Sequence, residues 1–169
     1  MKFFSANLET LRELYHNQLR MLLSAEQQII EALPKMMEKA TDTQLKQAFQ
    51  SHLQETHIHV TRLQQILREE INDVEAIKCK VLPALVAEAE DMITDAMDAA
   101  VRDAALIAAA QRVEHYEIAI YGAVRQWAHI LGEAEQVTLL DQTIKEEGHA
   151  DHLLTSISNR VNIEADIAA

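Results

Sequence analysis

The chain has 169 residues, 49% apolar and 25% charged, with 27 acidic residues against 15 basic ones for a formal charge of −12. That is enough chain for one domain with a proper core, and too apolar a composition for a disordered one. The acidic balance excludes nucleic-acid binding through phosphate contacts and attraction to an anionic membrane surface.

The opening stretch MKFFSANLETLREL lacks the apolar run and cleavage site of a secretion signal, so a cytoplasmic protein is expected. Only 3 Gly and 2 Pro punctuate the chain, which predicts long uninterrupted helices. A first helix is expected over 7–39, with Pro34 in its last turns expected to kink it or end it early. Thr41, Asp42, Thr43 and Gln44 read as a capping box opening a second helix over 42–71, which carries Leu45, Phe49, His52, Glu55, His59, Leu63 and Ile66 on one face. From Val74 to about Ala100 the pattern is less periodic, and Pro83 is expected to open a short crossover helix over 83–93. Cys79 in this stretch is the single cysteine and lies between two lysines; an intramolecular disulfide is ruled out, in keeping with a reducing cytoplasm. A third long helix is expected over 101–131 with Gly132 as its stop, and a fourth over 133–160, after which the chain should fray. No run of about 18 apolar residues exists to span a membrane. The whole reads as a single all-α domain, two helical hairpins joined by a long connection.

Glutamates interrupt the apolar stripes of these helices. The first stripe is Tyr15, Leu19, Leu22, Glu26, Ile29 and Leu33; the third helix has Leu106, Ala110, Val113, Glu117, Ile120 and Val124, with Glu114 at the edge. The last has Val137, Leu140, Ile144, Glu147, Asp151 and Leu154. Steps of three and four place each set on one helical face. A buried carboxylate costs several kcal/mol unless paired, so several converging ones call for cations or protons. A helical bundle whose core carboxylates meet is a known way to hold two metal ions.

The two halves echo one another: Glu26 and Glu117 are 91 residues apart, Glu55 and Glu147 are 92, and His59 and Asp151 are 92. The spacing suggests a duplicated hairpin with a pseudo-twofold axis through one shared site. The candidate ligands are Glu26; His52, Glu55 and His59; Glu114 and Glu117; and Glu147 and Asp151. Oxygen donors with some nitrogen suit iron or manganese, with zinc an alternative on affinity grounds. A lone Glu on an apolar stripe is often a rim residue whose head reaches water, and Arg20, Lys35, Arg112 or Arg125 could neutralise one. Matched glutamates on four helices argue against that reading. His57, His149 and His152 read as surface residues, His115 as a surface residue or a support to the neighbouring candidate ligand, and Tyr116 and Tyr121 as core aromatics.

HLQETHIHVTRLQ (52–64), RDAALIAAAQRVEHYEIAIYG (102–122), IKEEGHADHL (144–153) and SAEQQIIEALPKM (24–36) together resemble the YciE/YciF family of ferritin-like proteins. The resemblance implies a rubrerythrin-like four-helix bundle of two antiparallel hairpins with an extra crossover helix. It also implies a homodimer, a centre of two metal ions, expected to be iron, and a bacterial stress response. By motif, Glu26, Glu55, Glu117 and Glu147 are the first-rank ligands and His52, Glu114 and Asp151 the second; His59 fits the helical geometry, though the family does not require a histidine there, and ranks third. The last helix departs from the usual Glu-x-x-His pattern, since it offers Glu147 and Asp151 but no histidine on that face. A carboxylate-rich site of this kind favours the higher oxidation state. The function expected is reaction of the metal pair with oxygen or hydrogen peroxide. Iron buffering without turnover and a structural bundle with a vestigial site are the alternatives.

Overall fold

The computed structural model describes residues 8–167. Among them the regular structure is all helical: α1 (Leu11–Lys39), α2 (Thr43–Ile71), α3 (Val81–Asp95), α4 (Ala99–Leu131) and α5 (Ala134–Ile167). None of these helices is long and apolar enough to cross a membrane.

The helix ends follow local chemistry. Thr10 caps α1 in a reciprocal box with Glu13, so the box stands here rather than before α2. At α2 the cap is Asp42, which accepts from the Leu45 amide at 2.9 Å. Thr41 is drawn off to Asp103, donating its hydroxyl at 2.6 Å and its amide at 2.8 Å. The Asp42 amide donates to the same carboxylate at 2.8 Å, so buried Asp103 ties the α1–α2 turn to the start of α4. Pro34 does not end α1, which runs five residues further. Proline sits on the exposed face there, where water can meet the carbonyl it leaves unpaired. Pro83 lies in the first turn of α3, where no amide is required. Gly132 closes α4 at φ +84°, the left-handed conformation that a glycine adopts without strain.

Between α2 and α3 the chain runs back along α1. Ile77 donates its amide to the Arg20 carbonyl at 3.0 Å, and Cys79 donates its amide to Ser24 Oγ at 3.1 Å. Cys79 is a free, buried thiol.

α1 packs on α2 and α4 on α5; α1 also meets α4, α2 meets α5, and α3 covers α1 and α4. The pairs within each half run antiparallel, since Arg12 at the start of α1 reaches Glu70 at the end of α2, and along α4 Gln111 reaches Asp151 of α5 while the later Arg125 reaches the earlier Asp141. The core falls into two apolar clusters, one holding Leu33, Phe49, Leu106 and Leu154, the other Tyr15, Leu19, Leu63 and Leu140. On α2, α4 and α5 the buried glutamates and histidines lie between the segments that feed these two clusters, and on α1 Glu26 lies beside the boundary between them.

α5 differs from its expected face. It buries Gln136, Thr143 and Ala150 alongside Leu140, Glu147 and Leu154, while Val137, Ile144 and Asp151 are only half-covered. The polar members are satisfied across the bundle: Gln136 accepts from Tyr15 at 2.7 Å and Thr143 accepts from Arg62 at 3.1 Å. Nor does α5 fray at 160. Ile157 and Val161 bury in the first cluster, and Arg160 pairs with Asp42 at 2.7 Å.

Candidate metal centre

Six buried side chains from four helices meet at the middle of the bundle. His52, Glu114, Glu117 and Glu147 each bring one donor atom within 4.8 Å of the others, and Glu26, His59 and Glu147 do the same. Glu147 belongs to both groups. His52 turns Nε2 toward Glu114 Oε1 at 3.4 Å and Glu147 Oε2 at 3.9 Å. His59 turns Nδ1 toward Glu26 Oε1 at 3.5 Å and Glu147 Oε1 at 2.9 Å, the latter a close ionic approach outside hydrogen-bond direction. The two imidazoles, two turns apart on one face of α2, lean toward one another and stand edge to face with centroids 6.5 Å apart.

The site is electrostatically incomplete. Four glutamates face two histidines, so two negative charges remain even with both rings protonated. Among the described residues no arginine or lysine pairs with these four glutamates: Arg20 pairs with Asp73 and Glu75, Arg112 with Glu88, and Arg125 with Asp141. Among the described residues, nine of the ten buried side-chain polar atoms without a hydrogen-bond partner belong to these six residues. Buried polar atoms are normally paired, so this concentration of exceptions marks the place of a group that accepts electron pairs. Carboxylate oxygens with imidazole nitrogens fit a divalent transition-metal ion, and this buried cluster can hold metal ions.

The protons in the metal-free state follow the same imbalance. Burial pushes the Glu114 and Glu117 carboxyls well above their ordinary value; neighbouring carboxylates add to it. Burial also raises Glu26, against the pull of His59. Glu147 goes the other way, because contacts with His59 and His52 outweigh its burial. Burial disfavours charge on the histidines, but the surrounding glutamates win and carry His52 up to about 9 and His59 to about 11.

Around these six stand residues that orient them. Tyr121 donates its hydroxyl to Glu26 Oε1. His59 meets Glu146 through Nε2 at 2.9 Å, and Arg62 donates to the same carboxylate at 2.9 Å. With Nε2–H on Glu146, the neutral tautomer of His59 would present Nδ1 to the site, an arrangement that fixes a ligand's orientation. Arg62 holds the Glu146 carboxyl below its ordinary value against partial burial, with His59 assisting.

Of the candidate ligands, the structure therefore brings together Glu26, His52, His59, Glu114, Glu117 and Glu147. Glu55 lies outside both groups, its Oε2 3.8 Å from His52 Nδ1 and its side chain 30% exposed. Asp151 is also outside, accepting from Gln111 at 3.0 Å and facing His115 at 3.5 Å. His57, His149 and His152 are exposed. Glu146 and Arg62 escape the sequence reading because their link runs between helices, where no spacing rule applies. The adjacency of Glu146 to Glu147, and the step of three from His59 to Arg62, were the only traces.

Comparisons with known proteins give the chain's family. The family described as "Domain of unknown function (DUF892)" matches residues 10–166. Protein YciF of Escherichia coli K12 is 40% identical over 162 residues, spanning 95% of this chain and 98% of its own. Two solved structures superpose with a TM-score of 0.87. One is YcfI of Rhodopseudomonas palustris, provisionally described as a structural protein, 40% identical over 90% of this chain and 98% of that one. The other is the E. coli stress protein YciF, 38% identical over 91% and 98%. The chain is accordingly a member of the DUF892 family, to which its resemblance to YciE and YciF proteins pointed.

Proposed function

We propose that the chain is a ferritin-like, two-hairpin bundle that holds two iron ions and reacts with oxygen or hydrogen peroxide in a stress response. The observation that carries this reading is that two buried ligand groups share Glu147. One carboxylate serving both groups is how a protein sets two ions roughly 3.5–4 Å apart. The pairing of α1 with α2 and of α4 with α5, with α3 between the halves, supports the fold part of the proposal.

Glu26, His52, His59, Glu114, Glu117 and Glu147 would hold the ions, and Glu55 is the next carboxylate in reach, on the outer side of His52. Bound iron would supply the electrons for reducing the oxidant. Manganese and zinc suit the same donors. The chain's part is to orient and to move protons. Tyr121 holds Glu26, and Glu146 holds His59. Loading must release the protons kept on Glu114, Glu117, His52 and His59. Glu55 beside His52 Nδ1 and Glu146 beside His59 Nε2 are 30% and 31% exposed, so each histidine has a carboxylate between itself and water. The proposal includes a cytoplasmic homodimer, which size-exclusion mass would check.

Anaerobic loading with Fe(II) should take up two ions per chain, one for each ligand group, and hydrogen peroxide should then give a stoichiometric absorbance change. Absence of metal uptake, or equal uptake by Glu26→Ala, defeats the proposal. Repeated turnover with a reductant separates an oxidoreductase from an iron buffer, which stops after one equivalent. A structural bundle with a vestigial site is the second reading, favoured by the description of the R. palustris relative. It predicts negligible metal in protein purified without chelator and no change in melting temperature on adding Fe(II) or Mn(II).

A further inference from the structure

α3 is an apolar helix that buries little of itself. Of its 15 residues only Leu82 and Ala89 are fully covered, and Leu85, Val86 and Ile93 on its inner side are half-covered. Across from them stand Ala32 of α1 and Ala109 and Ala110 of α4. Short side chains facing branched ones leave a cavity of about 400 Å³ between α1, α3 and α4, in the size range of small-molecule sites. Protein interiors ordinarily close such gaps, and larger side chains at the alanines would recover the lost packing.

The walls are apolar, but the inner end is not. His52 and Glu114 line it, and both nitrogens of His52 and Oε2 of Glu114 are buried without a hydrogen-bond partner. At the outer end Lys35 and Lys39 alternate with Glu38 and Glu90, so the rim carries both signs equally and selects neither ion. A second, separate opening of about 60 Å³ reaches the same His52 and Glu114 between α2 and α5, past Ser51, Glu55 and His149. It has room for water-sized molecules only. An organic molecule in the large cavity would leave this narrow route open.

We propose that the cavity beneath α3 binds an uncharged, elongated apolar molecule, with its polar end, a hydroxyl or carbonyl, against His52 and Glu114. As a binding site the cavity stands on its own; as a substrate site it rests on the two-metal reading above.

The test is titration of the full-length protein with N-phenyl-1-naphthylamine, a neutral fluorophore that brightens in apolar surroundings, with and without Mn(II). Saturable binding of one probe per chain is expected, with 1-octanol displacing it about tenfold better than octanoate or octylamine. Ala110→Leu and Ala89→Leu fill the cavity from different helices, and each should weaken the probe about tenfold or more while keeping the helical spectrum and the Mn(II)-induced rise in melting temperature. In the Mn(II) form, the hydroxymethyl protons of 1-octanol should broaden more than its methyl protons. Failure of saturable binding, unchanged binding in both filled variants, or preference for octanoate or octylamine overturns the proposal. Octanol that binds, is lost in the filled variants, and shows no Mn(II) broadening upholds the cavity and counts against the metal centre.

Discussion

Glu117 is fully buried with both carboxyl oxygens unpartnered, and neither histidine lies within ion-pair distance of it. Without metal its best state is protonated, and its ionised form weakens the fold. Glu117→Gln keeps the shape and removes the charge. At neutral pH it should stabilise the metal-free protein by about 1–3 kcal/mol, on the order of 3–10 °C in melting temperature. The same change should shrink the rise in melting temperature on adding Mn(II), because a donor has gone. The two effects have opposite signs, and a variant less stable both with and without metal would show that Glu117 is an ordinary packed residue. Glu146 asks a different question, since it touches His59 rather than the interior of the site. Glu146→Gln should weaken Mn(II) binding about 10–100-fold by freeing the His59 ring, with Glu146→Asp restoring part of the loss. If Glu146 only braces α5 against Arg62, the substitution lowers the melting temperature equally with and without metal and their difference stays fixed.

At the scale of the helix, Gly148 follows Glu147 in α5, and a Cβ built there meets nothing within 4 Å. No close neighbour requires the glycine, so only its conformational freedom is felt. Gly148→Ala should stabilise the protein by about 0.5–1 kcal/mol and leave metal uptake unchanged; a loss of stability in denaturant titration would mean that α5 needs its pliancy there. The same helix shows what a sequence can and cannot display. On α1 the stripe from Tyr15 to Leu33 is buried at every position read, and Leu23, Ser24 and Ala25 beside it are buried as well. On α5 two faces lie one position apart, and hydropathy favours Val137 and Ile144 over Gln136 and Thr143. The choice is made by Tyr15 reaching Gln136 and Arg62 reaching Thr143, contacts between helices that periodicity does not contain. α2 has the same ambiguity. At about 100° per residue, Glu55 sits about 60° to one side of His52 and Thr56 about 40° to the other, and Thr56 is the one turned inward. Which residues carry the chemistry was legible from residue type on four faces; which of two neighbours points inward was set by the bundle.

The balance of protons across the whole molecule yields a test that no single substitution gives. In the metal-free protein the folded state holds protons that the unfolded chain would release. Glu114 and Glu117 are raised above 4.5, so their contribution is present below that value and is lost as pH rises through their raised pKa. His52 and His59 rise from 6.5 to about 9 and about 11, so their contribution is full below 6.5 and is lost as pH climbs through those values. Glu147, and Glu70 at the far end of the bundle, are lowered, Glu70 because hydrogen bonds from His16, Gln136 and Arg12 outweigh its burial. Their contribution is present above 4.5 and fails only toward acid. Between pH 6.5 and 9 the losses all have one sign, and His52 alone is worth on the order of 3 kcal/mol, or roughly 5–10 °C in melting temperature. In chelator the melting temperature should therefore fall across this interval. With Mn(II) present the ion replaces those protons, and binding strengthens as they become easier to remove. The gap between the metal-loaded and chelated melting temperatures should then widen steadily from pH 6.5 to 9. A chelated protein whose melting temperature is flat or rising over that range does not keep these protons, and four carboxylates beside two imidazoles would need some other source of compensation.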